Sequence, residues 1–324
     1  MRRREFIAGL GGSLLAGAAR AQQNHPALIG VLQAGSQAAT TIYYDAFREA
    51  LAGLGHAEGR DVRFEYRFAD GVIERLPTLA EEIVRLNPRV IVSAPVPASV
   101  ALAKVTRTIP VVMATGADPV SFGLAASLSR PGGNFTGLAN FADELASKQL
   151  DLLRELLPQL SRVGVLLNVA NPLHVPQWRQ IQDAAGQVKV SLIPFEYRVP
   201  EDLERAFAAF TREKADGALV PPDTTLANYR DRIVALAAAA RLPTIYNNRL
   251  PIMIGGLISY GLNSTENYRR SAVYVDKILK GANPAEMPIE QPTKIELVVN
   301  LGTARALGIT IPQAILAGAD QVIE

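Results

Sequence analysis

The chain has no cysteine among its 324 residues, and histidine is nearly as scarce, with three copies. The absence of thiols excludes disulfides, zinc–thiolate sites, thiol catalysis and a lipid anchor on an N-terminal cysteine. His25, His56 and His174 are far apart in the sequence and share no metal-ligand spacing. The sequence therefore predicts no metal site.

The motifs that usually carry catalysis or nucleotide binding are also missing. No Gly-x-Gly-x-x-Gly follows the first predicted strand, and the chain has no Walker loop and no Gly-x-Ser-x-Gly elbow. The acidic pairs Glu81-Glu82 and Asp143-Glu144 lie on predicted helices, where adjacent residues point in different directions. We therefore expect neither an enzyme nor a cofactor.

Charge of one sign is not in excess. The formal net charge is +2, but residues 1–21 hold four arginines and one glutamate, so the remainder is close to neutral. Nucleic-acid binding needs a basic face that this composition does not supply. No later segment reaches about 18 uninterrupted apolar residues, the length that spans a bilayer, so we expect a soluble mature chain.

The N-terminal residues have the pattern of an export signal. Arg3-Arg4-Glu5-Phe6-Ile7 resembles the twin-arginine signal, in which two arginines precede a polar residue and two apolar ones. After a short apolar segment, Ala19-Arg20-Ala21 offers small residues where a signal peptidase cuts. We interpret residues 1–21 as a signal peptide of a periplasmic, non-lipidated protein; a basic disordered terminus is the alternative.

The rest of the chain alternates predicted strands with helices, which favours an α/β fold. Apolar runs predict strands at Leu28–Leu32, Asp61–Arg67, Arg89–Val92, Ile109–Met113, Val163–Leu167, Val190–Phe195, Ala218–Val220 and Thr244–Tyr246. Helical patterns lie between them, so each half should form a parallel, doubly wound sheet with helices on both faces. The tail after residue 256 has no such unit of its own and should complete both halves.

Polar loops follow the predicted strands at their carboxyl ends, where open α/β sheets bind ligands. Two similar units that face each other would place these loops around one cleft. The loop residues expected there are Ala94, Pro95, Thr115, Gly116, Asp118, Asp223 and Asn247. For Asp118 the simpler alternative is a cap on a helix that follows the strand.

Further side chains complete the predicted ligand site. They are Gln33, Ser36, Tyr43, Asn168, Asn171, Tyr246 and Tyr260. An ammonium group would pair with Asp223 or Asp118, and a carboxylate with backbone N–H groups aided by hydroxyls such as those of Ser36 and Thr115. The tyrosines would wall the cleft. Ordinary packing is the alternative for the tyrosines, and turn formation is the alternative for Asn168 and Asn171.

Motifs along nearly the whole chain carry a family resemblance. They are Phe47-Arg48-Glu49, Arg75-Leu76-Pro77, Asp118-Pro119-Val120, Ser129–Asn134, Leu152–Leu156, Ser259-Tyr260-Gly261, Ile278–Gly281 and Gln291–Lys294. With the export signal, they resemble the ABC-transporter substrate-binding proteins of the tryptophan/tyrosine transport family. The family loop often has two acidic residues where this chain has Ala117 and Asp118.

The resemblance implies a type I periplasmic-binding-protein fold, in which two Rossmann-like lobes with parallel, doubly wound sheets are joined by a three-segment hinge. The lobes implied are residues 24–139 with 262–288, and residues 140–261 with 289–324. The hinge segments implied are Leu138–Phe141, Tyr260–Asn263 and Pro288–Pro292.

The resemblance also implies a function. A monomer would capture a small solute, an amino acid or related small carboxylate, aromatic ones included, by hinge closure. It would then dock on an ABC permease in the inner membrane, which works with its ATPase. The same fold could instead serve a membrane receptor as a ligand sensor, which the sequence does not distinguish from transport, and an exported enzyme is the third interpretation.

Overall fold

The computed structural model describes residues 26–139, 145–168, 171, 174–292 and 294–324. The strands are β1 (Ala27–Gln33), β2 (Val62–Phe68), β3 (Val90–Ala94), β4 (Val111–Met113), β5 (Phe135–Gly137), β6 (Arg162–Asn168), β7 (Ser191–Tyr197), β8 (Gly217–Val220), β9 (Thr244–Tyr246), β10 (Ile258–Leu262), β11 (Ile295–Asn300) and β12 (Gln321–Ile323). The predicted signal peptide lies outside the described residues.

Helices separate most of these strands. They are α1 (Gln37–Gly53), α2 (Leu76–Arg85), α3 (Val96–Val105), α4 (Leu145–Leu156), α5 (His174–Val188), α6 (Asp202–Arg212), α7 (Thr224–Asn228), α8 (Arg230–Ala239), α9 (Leu250–Met253), α10 (Ser264–Leu279), α11 (Leu301–Leu307) and α12 (Gln313–Gly318). Among the described residues, none of the helices is both long enough and apolar enough to span a membrane.

The strands pair into two sheets, which confirms the predicted two-lobed α/β fold. The first sheet has the order β2-β1-β3-β4-β5, and the second has the order β12-β11-β10-β9-β8-β6-β7. Every pair in the first sheet is parallel. In the second sheet β10 and β11 are antiparallel, with Leu262 opposite Ile295. The chain leaves this sheet at the carboxyl end of β10 and, after α10, re-enters it at the same end of the neighbouring strand position. As a result β11 runs back along β10, and no helix crosses the face of this sheet between the two strands.

The first strand shows how the first sheet is covered on both faces. Ile29 and Val31 pack into the cluster formed with α1 and α10, whereas Leu32 packs on the opposite face with α2 and α3. Side chains alternate between the faces of a strand, so this division follows directly from the sequence. At Gly30 a Cβ atom would lie 2.8 Å from Ile83 Cγ1, so the glycine allows α2 to approach the sheet closely.

Helix α10 belongs to the first lobe, although it follows a strand of the second. Tyr268 of α10 stacks on Tyr43 of α1, with ring centroids 5.3 Å apart. The chain then stays on the first lobe to Glu290, whose N–H donates to the Gly137 carbonyl at 2.9 Å, and enters β11 at Ile295. The exact lobe boundaries at residues 262 and 288–289 stay a prediction, and hinge residues 140 and 141 are not described.

The connection from β4 to β5 differs from an ordinary strand–helix unit. Residues 114–134 form turns and bends, and no helix follows the strand. Pro119 and Pro131 lack a backbone N–H, and Gly123 and Gly132 have positive φ angles, so the segment is divided into short turns. The alternative in which Asp118 caps a following helix is therefore wrong. Its Oδ1 atom instead accepts a hydrogen bond from the Val120 N–H at 3.0 Å, within a turn.

Candidate ligand site

The carboxyl ends of the two sheets meet in a direct contact. Ser36, in the loop after β1, donates from its backbone N–H and its hydroxyl to Asn228 Oδ1, at 3.1 and 3.0 Å. The Thr225 hydroxyl donates to the Gly71 carbonyl, in the loop after β2, at 3.3 Å. Helix α7 of the second lobe thus binds two strand-end loops of the first lobe.

This contact is close because one of the first-lobe loops carries a glycine at its centre. Gly71 has φ +85°, a conformation that glycine adopts without strain. A Cβ atom there would also lie 2.9 Å from Asn228 Nδ2. The sequence of the β2–α2 loop therefore permits the contact on two grounds, backbone conformation and space.

Asp223, which begins α7, is the centre of a buried polar cluster in the second lobe. Its side chain is 1% exposed and accepts hydrogen bonds from the Tyr197 hydroxyl at 2.6 Å and from the Leu226 N–H at 2.9 Å. The Asn171 amide donates to it at 2.7 Å, and the Asn168 amide lies at 3.2 and 3.3 Å from its two oxygens. These four donors use most of the positions at which a carboxylate accepts hydrogen bonds.

The histidine beside this cluster does not supply a positive charge. His174 Nδ1 accepts a hydrogen bond from the Asn168 N–H at 2.8 Å, which leaves the ring proton on Nε2. Burial lowers the pKa of His174 and outweighs the Asp223 charge and the Pro222 carbonyl, which raise it. His174 Nε2 is 3.5 Å from Asp223 Oδ2, so the contact is a long one between a carboxylate and a neutral ring.

The phenol in the cluster is likewise held in its neutral form. Burial raises the pKa of Tyr197 far above its ordinary value, and the charge and hydrogen bond of Asp223 raise it further. Within the part of the chain that the structure describes, no lysine or arginine forms an ion pair with Asp223. A buried carboxylate is therefore surrounded by neutral donors and keeps an uncompensated negative charge.

A cavity of about 60 Å³ lies beside this cluster, between the lobes. Tyr43 lines it from the first lobe. The second lobe contributes Val220, Pro221, Asp223, Leu226, Ala227, Arg230, Ile233, Tyr246, Asn247, Asn248 and Pro251. Burial raises the pKa of Tyr43, while the positive charge of Arg230 and a hydrogen bond with Ser264 lower it. The cavity thus combines two aromatic rings with an acid, a base and two amides.

Among the predicted site residues, Tyr43, Asp223, Tyr246 and Asn247 come together at this cavity. Asn168 and Asn171 do not line the cavity themselves, but their side-chain amides contact Asp223, which does. Tyr246 is also a packing residue, since its side chain belongs to the hydrophobic cluster beneath α6 and α8. Ser36 lies at the contact between the lobes, where its hydroxyl also accepts from the Ala39 N–H at 3.2 Å and so caps α1.

The other predicted residues lie elsewhere on the strand ends. Gln33 is 2% exposed, and both ends of its amide are used, with Nε2 donating to the Tyr268 hydroxyl at 3.0 Å and Oε1 accepting from the Gly35 N–H at 3.2 Å. Ala94 ends β3, Pro95 follows it, and Thr115, Gly116 and Asp118 follow β4. These five residues do not line the cavity. Tyr260 packs against the second-lobe core, and its carbonyl accepts from the Gln149 amide at 2.7 Å.

Sequence reasoning missed several residues of this region. Tyr197 ends β7, so it satisfies the same strand-end rule as the other candidates, but the predicted strand ended two residues earlier, at Phe195. Arg230 and Asn228 lie on helices, and no sequence signal separates them from the solvent-facing polar residues of neighbouring turns. Among the described residues, no three acidic or histidine side chains are grouped so that they could hold a metal ion.

The family comparison agrees with this architecture. The model of a protein family described as "ABC transporter substrate binding protein" matches residues 28–323. The chain belongs to this family. The match covers both lobes and the contact between them, so the resemblance given by the short sequence motifs is confirmed.

Two solved structures show the same fold, and a third protein is similar in sequence. A domain from Streptococcus pneumoniae, solved in complex with L-Trp, is 27% identical to this chain and superposes with a TM-score of 0.83. The alignment covers 92% of this chain and 100% of that domain. A conserved domain protein from Vibrio cholerae is 28% identical with a TM-score of 0.84 and the same coverage. A tyrosine-binding protein of Clostridioides difficile is 22% identical over 261 residues, which are 81% of this chain and 75% of that protein.

Proposed function

We propose that this protein captures an aromatic amino acid between its lobes and delivers it to an ABC permease that works with its ATPase. The N-terminal twin-arginine pattern would direct it to the periplasm, where it would act as a monomer. Support for the ligand class comes from the relatives, of which one is solved with L-Trp and another is named for tyrosine binding.

One observation carries the proposal: a cavity between the lobes places tyrosine rings next to a buried acid that lacks a counter-charge. An α-ammonium group supplies the missing positive charge. The two Asn168 contacts to Asp223 are its longest amide contacts, at 3.2 and 3.3 Å, so they are the ones that an ammonium would replace at the least cost. Tyr43 and Tyr246 offer aromatic surface to an indole or phenol.

Hinge motion is part of the proposal. A volume of about 60 Å³ is far below the roughly 300 Å³ of a typical ligand pocket. The lobes would therefore open by breaking the Ser36–Asn228 and Gly71–Thr225 contacts, admit the ligand and close again around it. Thr115 and Gly116, at the end of β4, remain candidates for the first-lobe side of the ligand.

Thermal unfolding of the purified mature chain tests this function. L-tryptophan, L-tyrosine and L-phenylalanine are added separately, with L-leucine and myo-inositol as controls of a different shape and charge. A true ligand at about 100 times its dissociation constant adds roughly 2.7 kcal/mol to the free energy of unfolding. We expect a rise in melting temperature for at least one aromatic amino acid that exceeds both controls. Equal shifts for all five compounds, or none, would contradict the proposal.

A further inference from the structure

Arg230, the first residue of α8, is the basic side chain of the cavity between the lobes. Only 20% of its side chain is exposed, and none of the other residues that line the cavity is a lysine, an arginine or a histidine. Its nearest carboxylate is that of Asp231, with 3.8 Å between Nε and Oδ1. The Asp231 side chain is 89% exposed, so a pair at that distance contributes little.

The guanidinium of Arg230 makes no hydrogen bond to any other residue that the structure describes. This is unusual, because arginine has five N–H donors and burying them without partners costs free energy. A less buried arginine gives the contrast. Arg67 is 27% exposed, yet its Nε donates to Glu82 at 2.8 Å and its Nη1 donates to the Tyr66 carbonyl at 2.9 Å. Arg230 is more buried and has fewer partners.

The rest of the cavity decides which anion suits Arg230. Asn248 donates to Asn247 Oδ1 at 3.0 Å and accepts from the Leu250 N–H at 3.0 Å, so these amides partly satisfy each other. The same cavity is lined by Asp223, whose negative charge disfavours a dianion such as phosphate. An acid and a base that line one small cavity match a zwitterion, with one ammonium and one carboxylate.

We propose that Arg230 binds the α-carboxylate of the captured amino acid. The inference rests on the proposed function and specifies how the ligand is recognised. A guanidinium holds a carboxylate with two parallel N–H···O bonds, which fixes the orientation of the amino acid as well as its charge. Asp223 and Arg230 then select for the two charged groups that all amino acids share, while Tyr43 and Tyr246 contact the part that differs.

The proposal makes an unusual prediction about stability. If Arg230 is kept for a ligand, the protein without ligand bears the cost of a largely buried guanidinium whose N–H groups make no hydrogen bond to a described residue and whose one ion-pair contact is long and exposed. Arg230→Met keeps most of the aliphatic length and removes the charge. We expect its melting temperature without ligand to equal or exceed that of the wild type, which a structural arginine would not allow.

The experiment compares the wild type, Arg230→Met, Arg230→Lys and the control Arg232→Met by calorimetric titration. Arg232 lies on the same helix and pairs with Glu204 at 2.6 Å, so its replacement removes the same charge outside the cavity. L-tryptophan and tryptamine, which lacks the carboxylate, are the probes, with tryptamine measured by competition. We expect Arg230→Met to weaken L-tryptophan binding about 10- to 100-fold and to change tryptamine binding less than twofold. Arg230→Lys should lie between wild type and Arg230→Met.

Three outcomes would overturn the assignment: L-tryptophan binding within twofold of wild type in Arg230→Met, an equal loss for tryptamine, or a loss of ligand-free stability larger than in Arg232→Met. Failure of the proposed function looks different. In that case the wild-type protein itself binds no aromatic amino acid, and both proposals fall together.

Discussion

Two buried aspartates each lie beside a histidine, and they are paired in opposite ways. Asp276 of α10 accepts from His56 at 2.8 Å and from Lys280 at 2.7 Å, so its counter-charge lies within its own lobe. Asp223 contacts neutral donors only, and His174 is neutral beside it. Asp276 joins α10 to the turn after α1 through His56, whereas Asp223 lines the cavity between the lobes. The comparison teaches that an uncompensated buried charge indicates a ligand partner, and a compensated one indicates a structural role.

Asp223→Ala should have the largest effect. It removes the acceptor of the Tyr197 hydroxyl and of the Leu226 N–H together with one hydrogen bond of the Asn171 amide, and a buried polar group that loses its acceptor costs about 1–3 kcal/mol. We expect a loss of about 3 kcal/mol or more in the free energy of unfolding, measured by urea denaturation. Asp231→Ala, at an 89% exposed position, is the control and should change stability by less than about 0.5 kcal/mol.

Asp223→Asn separates charge from packing. It retains the volume and one acceptor oxygen, so the protein should fold, but the negative charge for the ammonium is gone. We expect the thermal shift with the best aromatic amino acid to fall by the equivalent of about 1.5–3 kcal/mol, the usual value of a hydrogen bond to a charged group. An unchanged shift in this variant would remove Asp223 from ligand recognition.

Asp276→Asn tests the other aspartate of the comparison, through the pH dependence of the free energy of unfolding. Burial raises the pKa of Asp276, but the hydrogen bonds and charges of Lys280 and His56 outweigh it and hold the pKa below the ordinary value of 3.8. A lowered carboxyl pKa stabilises the fold above 3.8, and this stabilisation is lost as the pH falls through the lower folded value. We expect the variant to lose about 1–2 kcal/mol at pH 7 and less at pH 3.

Ligand affinity is the second readout for Asp276→Asn. Since Asp276 does not line the cavity, we expect the dissociation constant to stay within twofold of the wild type once the folded fraction is taken into account. A large change in affinity would mean that the two aspartates differ less in role than their partners indicate.

Asn228→Ala should have the smallest effect, confined to the contact between the lobes. It removes the acceptor for the Ser36 N–H and hydroxyl, two bonds that exist only when the lobes touch. We expect ligand affinity to fall about 3- to 10-fold with little change in unfolding free energy. Ser36→Ala and the double variant complete a mutant cycle, and simple additivity of the two effects would show that the bond does not contribute to closure.

The sequence predicts the fold well because the strands carry their own signal. Buried runs such as Val163–Leu167 and the alternation at β2 need no tertiary information. The short strands β5 and β12 depend on a neighbouring strand for pairing, so their own residues give little warning. The antiparallel β10–β11 pair follows from the path of the chain through the first lobe, which no local pattern contains.

The site is less predictable than the fold, for a physical reason. A strand-end rule finds Asp223 and Asn247 because strand position determines where their loops lie. The same rule includes Gln33, whose amide is used entirely within the first lobe. It does not find Arg230, because the position of α8 relative to the opposite lobe depends on how two separate units pack together.

The packing of α10 on α1 also sets an order for folding during synthesis. Tyr44 and Phe47 of α1 belong to the cluster that Tyr268, Ala272 and Val275 of α10 complete. A ribosome makes residues 27–137, the whole first sheet, long before it reaches residue 264, so this apolar face of the growing chain has no native cover during most of translation. The second sheet is also incomplete at that stage, because β11 and β12 follow α10 in the sequence. The first lobe is complete only when the chain has been made to Glu290, and the second only when β12 has been made, so a chain cut short after β10 would be a target for chaperones and proteases.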